Sequence, residues 1–479
     1  MKLFAKYFFL LLIFPLVAHA HPASSLVFQH VTVIDGTGRA PQSDQTVVVV
    51  GGRITALGPA GEIKIEKTAR VIDGRGKFLI PGLWDMHVHI AGVSADPSWS
   101  KNVLLPLLLA NGITGVRDMG GDLEVLLSWK HDIESGNFIG PHIVASGPWL
   151  ASRGKKSPEQ FPVANADEAR TAVRELKKRG ADFIKIISLP SREAFFAVAD
   201  EARKQGISFV GHLPLDVDAA EASDAGMHSI EHLFYSAFSL SLSARQAELR
   251  KSLADAQNAR DYSAQEKVTH DAEASYSPEK AAALWNTLKE NKTWVTPTLA
   301  SLEISSHPQS WDPHDAGLAF VPVDLAKEWR AAISDKSSQD QGAWMQRQSS
   351  NDWKLTSEMH RAGVSLLAGS DSLDPFVFPG DSLHQELEQF VRAGFTPLEA
   401  IQSATGGATQ FLGRDKDFGT VEVGKMADLV LLEANPLENI SNTRKIVAVI
   451  RNGQYLDRNA LDRLLAKARS AAAAVPAEK

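Results

Sequence analysis

The sequence contains no cysteine in 479 residues, which excludes a disulfide framework and a lipid-anchoring cysteine. It also has no long run of basic residues. Lysine and arginine number 50 against 57 aspartate and glutamate, which gives a formal net charge of −7. Nucleic-acid-binding chains usually carry a basic patch or stripe, so nucleic acid is not an expected partner. The sequence shows no internal repeat, and the one compositionally biased segment is the tail from residue 470.

The N-terminal apolar run is too short for a comfortable membrane span. Lys2 and Lys6 precede the apolar residues 7–17, and residues 18–20 supply the small side chains of a signal-peptidase site. We predict that residues 1–20 are a signal peptide, whose removal leaves 459 residues with a formal charge of −9 because two lysines are lost. The predicted location is periplasmic or secreted, without stable membrane insertion after cleavage. An uncleaved membrane anchor is the alternative.

A chain of this length exceeds a bare eight-stranded barrel of ~250 residues and leaves room for a second domain. Short β-rich runs separated by glycine turns occur within residues 21–80 and again within residues 416–460. In the second group, Asn452-Gly453 is a strong hairpin signal. Neither group has enough strands to bury a core alone. We therefore predict one small β-domain built from both chain ends, followed by a helix and tail at residues 461–479.

Residues 81–415 alternate apolar β-like runs with helical patterns, which is the order typical of a parallel barrel. The predicted fold class is α/β, a (β/α)8 TIM-like barrel beside the small β-domain. Long insertions are expected around residues 236–360, where they form lids and substrate walls, although most of their tryptophans are expected only to pack helices onto the barrel. Eight strand ends are predicted, near His89, Asp118, Ser146, Ile187, His212, His232, Thr298 and Asp371.

Two histidines at the end of the first barrel strand carry the first chemical signal. His87 and His89 are spaced i, i+2, so on a strand both imidazoles share one face and can bind one metal ion. The pair alone is a weak signal, because most such pairs are surface or core histidines. Four more polar residues lie at or near the C-terminal ends of other strand-like runs, namely Lys185, His212, His232 and Asp371. A barrel gathers its active site at the C-terminal strand ends, so all six residues are predicted to lie together.

Lys185 has two interpretations. It lies in the apolar run 183–187, so an inward-facing ammonium would be desolvated and its pKa would fall. A neutral amine between two cations can take up CO2 and become a carbamate. An outward-facing Lys185 would be an ordinary surface lysine with a buried stem.

In order and local context the six residues resemble the amidohydrolase superfamily, and the likeness extends over residues 31–455. The resemblance implies two divalent metal ions bridged by a CO2-derived carbamate on Lys185. His87, His89 and Asp371 would hold the more buried metal, and His212 and His232 the more exposed one. Zn2+ suits these donors best, with Mn2+, Co2+ and Fe2+ left open. The resemblance also implies that the β-domain is a small β-sandwich.

Segments around Lys185, His212 and His232 are most similar to imidazolonepropionase-related hydrolases and prolidase-like dipeptidases. This implies hydrolysis of a C–N bond in a small molecule or peptide-like substrate, such as a dipeptide or N-acyl amino acid. A metal-activated hydroxide would attack, and Asp371 would orient it and move its proton. A lactonase, another esterase or a cyclic-amide hydrolase would use the same centre, and a non-catalytic metal-binding protein is a remote alternative. A homo-oligomer is compatible with the sequence.

Charged neighbours of the predicted ligands have both catalytic and structural interpretations. Asp85 is equally compatible with either. Glu231 precedes His232 in an alternating strand and is predicted to point to the opposite face in a structural role. Arg117 and Asp118 could meet a substrate carboxylate or form a salt bridge in the barrel mouth. Four further residues receive no catalytic assignment: His228 in a predicted loop, and Tyr235, Asp374 and His384 near the expected catalytic face. Of these, His384 is the first alternative to Asp371 as the proton shuttle.

Overall fold

The computed structural model describes residues 25–474, except residues 92–96, 153–155, 190, 234–235 and 260. The predicted signal peptide and Tyr235 therefore lie outside the described residues. No helix in the described part of the chain is both long and apolar enough to cross a membrane.

Five strands rich in valine and isoleucine begin the described chain, as their extended-backbone preference predicts. They are β1 (Leu26–Val33), β2 (Gln42–Val50), β3 (Arg53–Pro59), β4 (Arg70–Asp73) and β5 (Phe78–Pro81). β1 pairs with β2 in antiparallel orientation and with β4 and β5 in parallel orientation, while β3 pairs with the far side of β2.

Nine more strands follow in the described residues, and all their ladder pairings are parallel. They are β6 (Leu83–Val88), β7 (Ile113–Asp118), β8 (His142–Ala145), β9 (Trp149–Ala151), β10 (Gln160–Pro162), β11 (Ile184–Ser188), β12 (Phe209–Gly211), β13 (Ser229–Glu231) and β14 (Trp294–Thr296). They form two sheets, in the orders β6-β7-β8 and β10-β9-β11-β12-β13-β14. The two sheets meet where the Asp182 amide donates to the Ala145 carbonyl at 2.8 Å. β9 and β10 are additional to the eight predicted strands.

The segment predicted as the eighth strand is not a regular strand. It bridges β14 and β6 through parallel contacts of Leu366 with Val295 and of Ser372 with Val88. Between these contacts, the Ser370 amide donates to the Asp85 carboxylate at 2.9 Å. The Ser370 amide thus donates to the Asp85 side chain, whereas in a regular ladder it would donate to a neighbouring strand. This replacement interrupts the strand.

Seventeen α-helices connect and cover the strands. They are α1 (Pro97–Trp99), α2 (Leu105–Ala110), α3 (Leu123–Glu134), α4 (Ala166–Arg179), α5 (Arg192–Gln205), α6 (Ala219–Asp224), α7 (Ser236–Leu242), α8 (Gln246–Ala259), α9 (Tyr262–Ala274), α10 (Pro278–Glu290), α11 (Leu299–Ser305), α12 (Val323–Ala332), α13 (Lys336–Ala362), α14 (Asp381–Arg392), α15 (Pro397–Ser403), α16 (Gly406–Phe411) and α17 (Arg458–Ala474), counted over the described residues. A π-helical turn covers Ser100–Leu104, and 3-10 turns cover Pro308–Ser310, Ala316–Phe320 and Ile440–Arg444. The helices α7–α13 occupy the predicted insertions.

Three further strands return the chain to its beginning. They are β15 (Leu429–Leu432), β16 (Ile446–Arg451) and β17 (Gln454–Asp457). β15 pairs antiparallel with β5, so strands from both chain ends form one sheet in the order β17-β16-β15-β5-β1-β2-β3, with β4 on β1. Asn452 and Gly453, with φ of 50° and 76°, make the turn between β16 and β17.

An apolar layer lies below the predicted ligands. Phe183 and Val210 precede Lys185 and His212 by two residues, so they share a strand face with them. Both belong to a buried cluster with Trp84, Met86, Met119, Val144 and Leu367. The polar residues at the strand ends therefore lie next to a buried, packed apolar cluster.

Candidate active site and metal centre

Asp371 is the centre of the predicted ligand set. Its Oδ1 atom lies 3.4 Å from Nε2 of His87 and 3.5 Å from Nε2 of His89. Its Oδ2 atom lies 3.7 Å from Nε2 of His232. Two donors that each lie ~2.1 Å from a tetrahedral metal are separated by about 3.4 Å. The spacing therefore fits metal ligands better than direct hydrogen bonds.

His212 and Lys185 complete the group. The rings of His212 and His232 have centroids 5.0 Å apart, and the rings of His87 and His232 have centroids 4.8 Å apart. Lys185 is only 1% exposed, and its charge contributes to lowering the pKa of His87, His212 and His232. The structure thus brings all six predicted site residues together, and the buried Lys185 faces the histidines.

Gly211 allows His212 to reach this position. Its φ is 134°, and a Cβ atom there would lie 1.9 Å from the Ile186 carbonyl oxygen. The His212 amide donates to that same carbonyl at 3.0 Å. A glycine at the end of β12 is therefore required for the close approach to β11.

Burial keeps three of the four imidazoles neutral, which is the form that binds metals. It lowers the pKa of His87 and His212 well below the usual range and lowers the pKa of His232 to about 4. Burial also opposes protonation of His89, but the neighbouring Asp371 carboxylate raises the pKa of that ring. Burial lowers the pKa of Lys185 to about 8, which increases the neutral fraction of its amine near neutral pH. For Asp371 burial opposes ionisation, yet His87, His232 and His89 together hold its pKa below the usual range.

A buried ring nitrogen without a hydrogen-bond partner indicates that a metal fits this site. His87 Nε2 is buried and, within the described residues, has no hydrogen-bond partner. An unsatisfied buried nitrogen is costly unless a ligand is bound. Nitrogen and oxygen atoms of His87, His232 and Asp371 all lie within 4.8 Å of one another. The donor set therefore fits a divalent metal ion.

The prediction that Glu231 faces away from the site is wrong. Its Oε2 atom lies 3.0 Å from Nδ1 of His87, and both its carboxylate oxygens accept from Arg117, at 2.9 and 3.0 Å. The side chains of Glu231 and His232 do not alternate, because His232 has a left-handed φ of 64°. This backbone conformation turns the His232 ring to the same side as Glu231. Glu231 thus orients a ligand.

A sequence signal for this network existed. Arg117 and Glu231 are opposite charges in apolar strands, and a buried charge requires a partner. Both are fully buried. Arg117 also donates to the Met86 carbonyl at 2.6 Å and to the Ser229 hydroxyl at 2.9 Å. Its interpretation as a salt bridge inside the barrel mouth therefore matches the geometry.

Two more buried carboxylates accept hydrogen bonds from backbone amides at the strand ends. Asp85 accepts from the amides of His87 and Ser370, and burial raises its pKa to about 7. Asp118 accepts from the amides of Ile90 and Gly120, at 2.7 and 3.1 Å. Burial raises the pKa of Asp118 to about 6. Both side chains shape the loops that carry the ligands.

His384 does not lie at the expected catalytic face. Its Nδ1 is 3.0 Å from the Thr443 hydroxyl and its Nε2 is 3.1 Å from the Asn111 carbonyl. Asn111 precedes β7, so His384 lies at the opposite end of the strands from Asp371.

The remaining neighbours separate into two groups. Asp374 accepts a hydrogen bond from Ser301 at 3.3 Å, and burial together with the charge of Asp371 raises its pKa to about 7. It therefore lies near the ligands. His228 packs against Phe411 with ring centroids 4.3 Å apart. It precedes β13 and lies away from the strand ends that carry the ligands.

Three residues in the left-handed region follow the strands at this site. They are His232, Thr298 and Asp371, with φ of 64°, 52° and 52°. Such residues cost about 1–3 kcal/mol each and cluster at functional sites. The sequence suggests Thr298 only as a strand end. Its hydroxyl oxygen lies 2.7 Å from Nδ1 of His232, within hydrogen-bond distance. It therefore orients a second ligand.

Known proteins share both the sequence pattern and the fold. Residues 78–456 match the amidohydrolase family. Ochratoxinase of Aspergillus niger is 25% identical over 425 residues, which covers 76% of this chain and 72% of that protein. A structure described as a prolidase from Bifidobacterium longum superposes with a TM-score of 0.67 at 24% identity, over 94% of this chain and all of that chain. A Xaa-Pro dipeptidase with bound methionine gives a TM-score of 0.67 at 22% identity, over 91% and 100%.

The structural likenesses show a shared fold, with a TIM barrel and an additional domain, and the family match covers most of the sequence. Enzymes of this family generally use divalent metal ions, for which the described His and Asp cluster provides a site. The chain therefore belongs to the amidohydrolase family and is a hydrolase that acts on carbon–nitrogen bonds.

Proposed function

We propose that this enzyme is a binuclear metal-dependent amidohydrolase that cleaves an amide bond in a small peptide-like substrate, such as a dipeptide or N-acyl amino acid. The observation that carries the proposal is Asp371, whose two carboxylate oxygens face His87 and His89 on one side and His232 on the other. A carboxylate in that position could hold a metal ion through one oxygen and accept a proton through the other. The names of the prolidase, dipeptidase and ochratoxinase relatives favour amide substrates.

The ligands divide between two metal positions in this proposal. His87, His89 and Asp371 would hold the more buried ion, and His212 and His232 would hold the more exposed one. Lys185, as a carbamate, would be a ligand of both, which its burial and lowered pKa support. Zn2+ suits the nitrogen and oxygen donors best. Bound metal ions would supply a hydroxide nucleophile near neutral pH and polarise the scissile carbonyl.

The chain's own residues position these groups. Glu231 and Thr298 fix the rings of His87 and His232 through their Nδ1 atoms, so Nε2 is the nitrogen of each ring that would bind a metal. Asp371 orients the attacking water, accepts its proton and passes it to the leaving amine. The buried apolar cluster that contains Phe183 and Val210 keeps water away from the side of the site that faces the strand interiors.

The proposal also includes the finer architecture and the location. We propose that the parallel strands close into one eight-stranded barrel, supported by the bridges of Leu366 and Ser372 to β14 and β6. The sheet from both chain ends would fold into the small β-sandwich. We further propose that the protein acts after export, supported by the signal-peptide pattern of residues 1–20.

A substrate screen tests the reaction. Zinc-loaded protein should contain about two metal equivalents and should hydrolyse members of a library of dipeptides and N-acyl amino acids. A matched library of lactones and simple esters should react much more slowly. Faster turnover of lactones would make the enzyme a lactonase with the same centre. Full activity in metal-free protein would contradict the mechanism itself.

Glu231→Gln tests the orientation of His87. The variant keeps the shape of the side chain but removes the charge that faces His87 Nδ1 and Arg117. We expect metal affinity to fall about 10–100-fold, as for other partners of metal-bound histidines. Competition with a metal-binding dye measures the affinity, and circular dichroism verifies the fold.

The matched control is Glu201→Gln. Glu201 is a buried carboxylate on α5, 3.3 Å from Arg174 and remote from the ligands. It should leave metal affinity unchanged. Equal affinities for wild type and the Glu231 variant would mean that Glu231 only balances Arg117.

A further inference from the structure

The helical insertion contains a second group of buried polar side chains, on α9 and α13. Gln348 and Asp352 are four residues apart on α13, so they share one face of that helix. Their exposures are 3% and 0%. Glu273, near the end of α9, is their neighbour: its charge raises the pKa of Asp352, and the side chain of Gln348 lowers the pKa of Glu273.

Gln348 forms a side-chain hydrogen bond with Glu273, yet four oxygens of the three side chains lack such a partner. Both carboxylate oxygens of Asp352, Oε1 of Glu273 and Oε1 of Gln348 are buried, and none has a hydrogen-bond partner among the described residues. Buried oxygens without a donor are unfavourable in a protein interior. A bound cation would satisfy them, as would added protons or water from the cleft. Burial accordingly raises the pKa of Asp352 well above its usual range and raises that of Glu273.

An opening leads to this group from the surface. A cleft of about 260 Å³ lies between α9 and α13, and Glu273 and Gln348 line its inner end. The cationic side chains at its rim already have carboxylate partners. Arg347 pairs with Glu266, and Lys267 pairs with Asp271 at 2.6 Å. His270, the remaining basic group of the rim, is largely exposed. A small hydrated cation could therefore enter without displacing an ion pair.

We propose that Glu273, Gln348 and Asp352 bind a hard divalent cation of the Ca2+ type, at a site distinct from the catalytic centre. Two carboxylates balance its charge. Ca2+ takes 6–8 oxygen ligands, including bidentate carboxylates and amide carbonyls, and water from the cleft completes the shell. The absence of nitrogen donors from the group separates its chemistry from that of the zinc-type catalytic centre. The bound ion fixes α9 against α13.

The test uses protein whose catalytic centre is loaded with zinc and which has then passed over a chelating resin. Equilibrium dialysis with Ca2+ should show about one bound ion per chain beyond the catalytic metals. A ligand at 100 times its Kd should raise Tm by about 3–5 °C for a protein of this size. Scanning calorimetry with and without CaCl2 measures the shift.

Variants assign the response to the site. Asp352→Asn and, as an independent variant, Glu273→Gln should each lose most of the Ca2+-induced shift in Tm. Asp340→Asn, an exposed carboxylate on the same helix, should keep it. His232→Asn, which removes a predicted catalytic ligand, should keep it too.

Two results would overturn the proposal. One is a wild-type protein whose Tm does not respond to Ca2+ but rises on acidification from pH 7 to pH 5, which would mean that the carboxyls share a proton. The other is a Ca2+ response that survives in both the Asp352 and Glu273 variants, because the ion would then bind elsewhere.

Discussion

Asp371→Asn is expected to keep most of its metal and to lose turnover by about 10³–10⁴-fold, the upper range for a general acid–base group. Asparagine keeps the shape and one oxygen that could coordinate, and Asp371 Oδ1 lies near His87 and His89, which are proposed to hold the same metal. The amide cannot accept the proton of the attacking water. Metal binding and proton transfer should therefore separate in this variant. Elemental analysis and kcat on the same preparation measure both.

His232→Asn is the control for Asp371. It removes an imidazole whose only expected duty is metal binding, so metal content and activity should fall together. An Asp371→Asn enzyme that keeps its metal and works within about tenfold of wild type would show that Asp371 is only a ligand. His384 could not replace it as the shuttle, because both its ring nitrogens are bonded at the other end of the strands. Asp374 would become the group to test.

Lys185 variants should produce the second large effect. Lys185→Ala should lose the bridge between the metals and reduce kcat by about a thousandfold, since metal-centre contributions amount to several kcal/mol and each 1.36 kcal/mol is tenfold. Because the proposed carbamate would be a carboxylate on a long stem, added acetate or propionate should partly restore activity. Steady-state kinetics with and without these acids measure the rescue.

Lys185→Arg provides the contrast. A guanidinium stays protonated and cannot form a carbamate, and a larger buried cation would also face the fully buried Arg117. We expect an inactive enzyme that acetate does not restore. Wild-type activity in Lys185→Arg would rule out the carbamate and leave the metal ions without this bridge.

The sequence predicts which residues come together here because they follow strand geometry. His87, Lys185 and His212 lie in or directly after apolar strands, and parallel strands carry their C-terminal ends to one edge. The sheet from both chain ends is predictable for a similar reason, since neither terminal group of strands can bury a core alone. Local pattern and global fold agree at these positions.

Predictions fail where backbone conformation departs from the regular pattern. The left-handed φ of His232 turns its ring to the same side as Glu231, and strand alternation gives no sign of this turn. The eighth strand is interrupted where the Ser370 amide donates a hydrogen bond to the side chain of Asp85, a residue 285 positions away. Such long-range substitutions for backbone hydrogen bonds depend on tertiary structure. The helices α7–α13 also lack a strand framework that would fix their packing in advance.

The sheet built from both chain ends has a consequence for synthesis on the ribosome. β5 is made early, yet its antiparallel partner β15 lies some 350 residues later, as Leu79 pairs with Leu431. At ~5–20 residues per second, that interval is on the order of half a minute. During this time one edge of β5 exposes unpaired amides and carbonyls, which are a template for misassembly. The barrel strands must therefore emerge and pack beside an unfinished sheet, and a chaperone that covers this edge would protect the nascent chain.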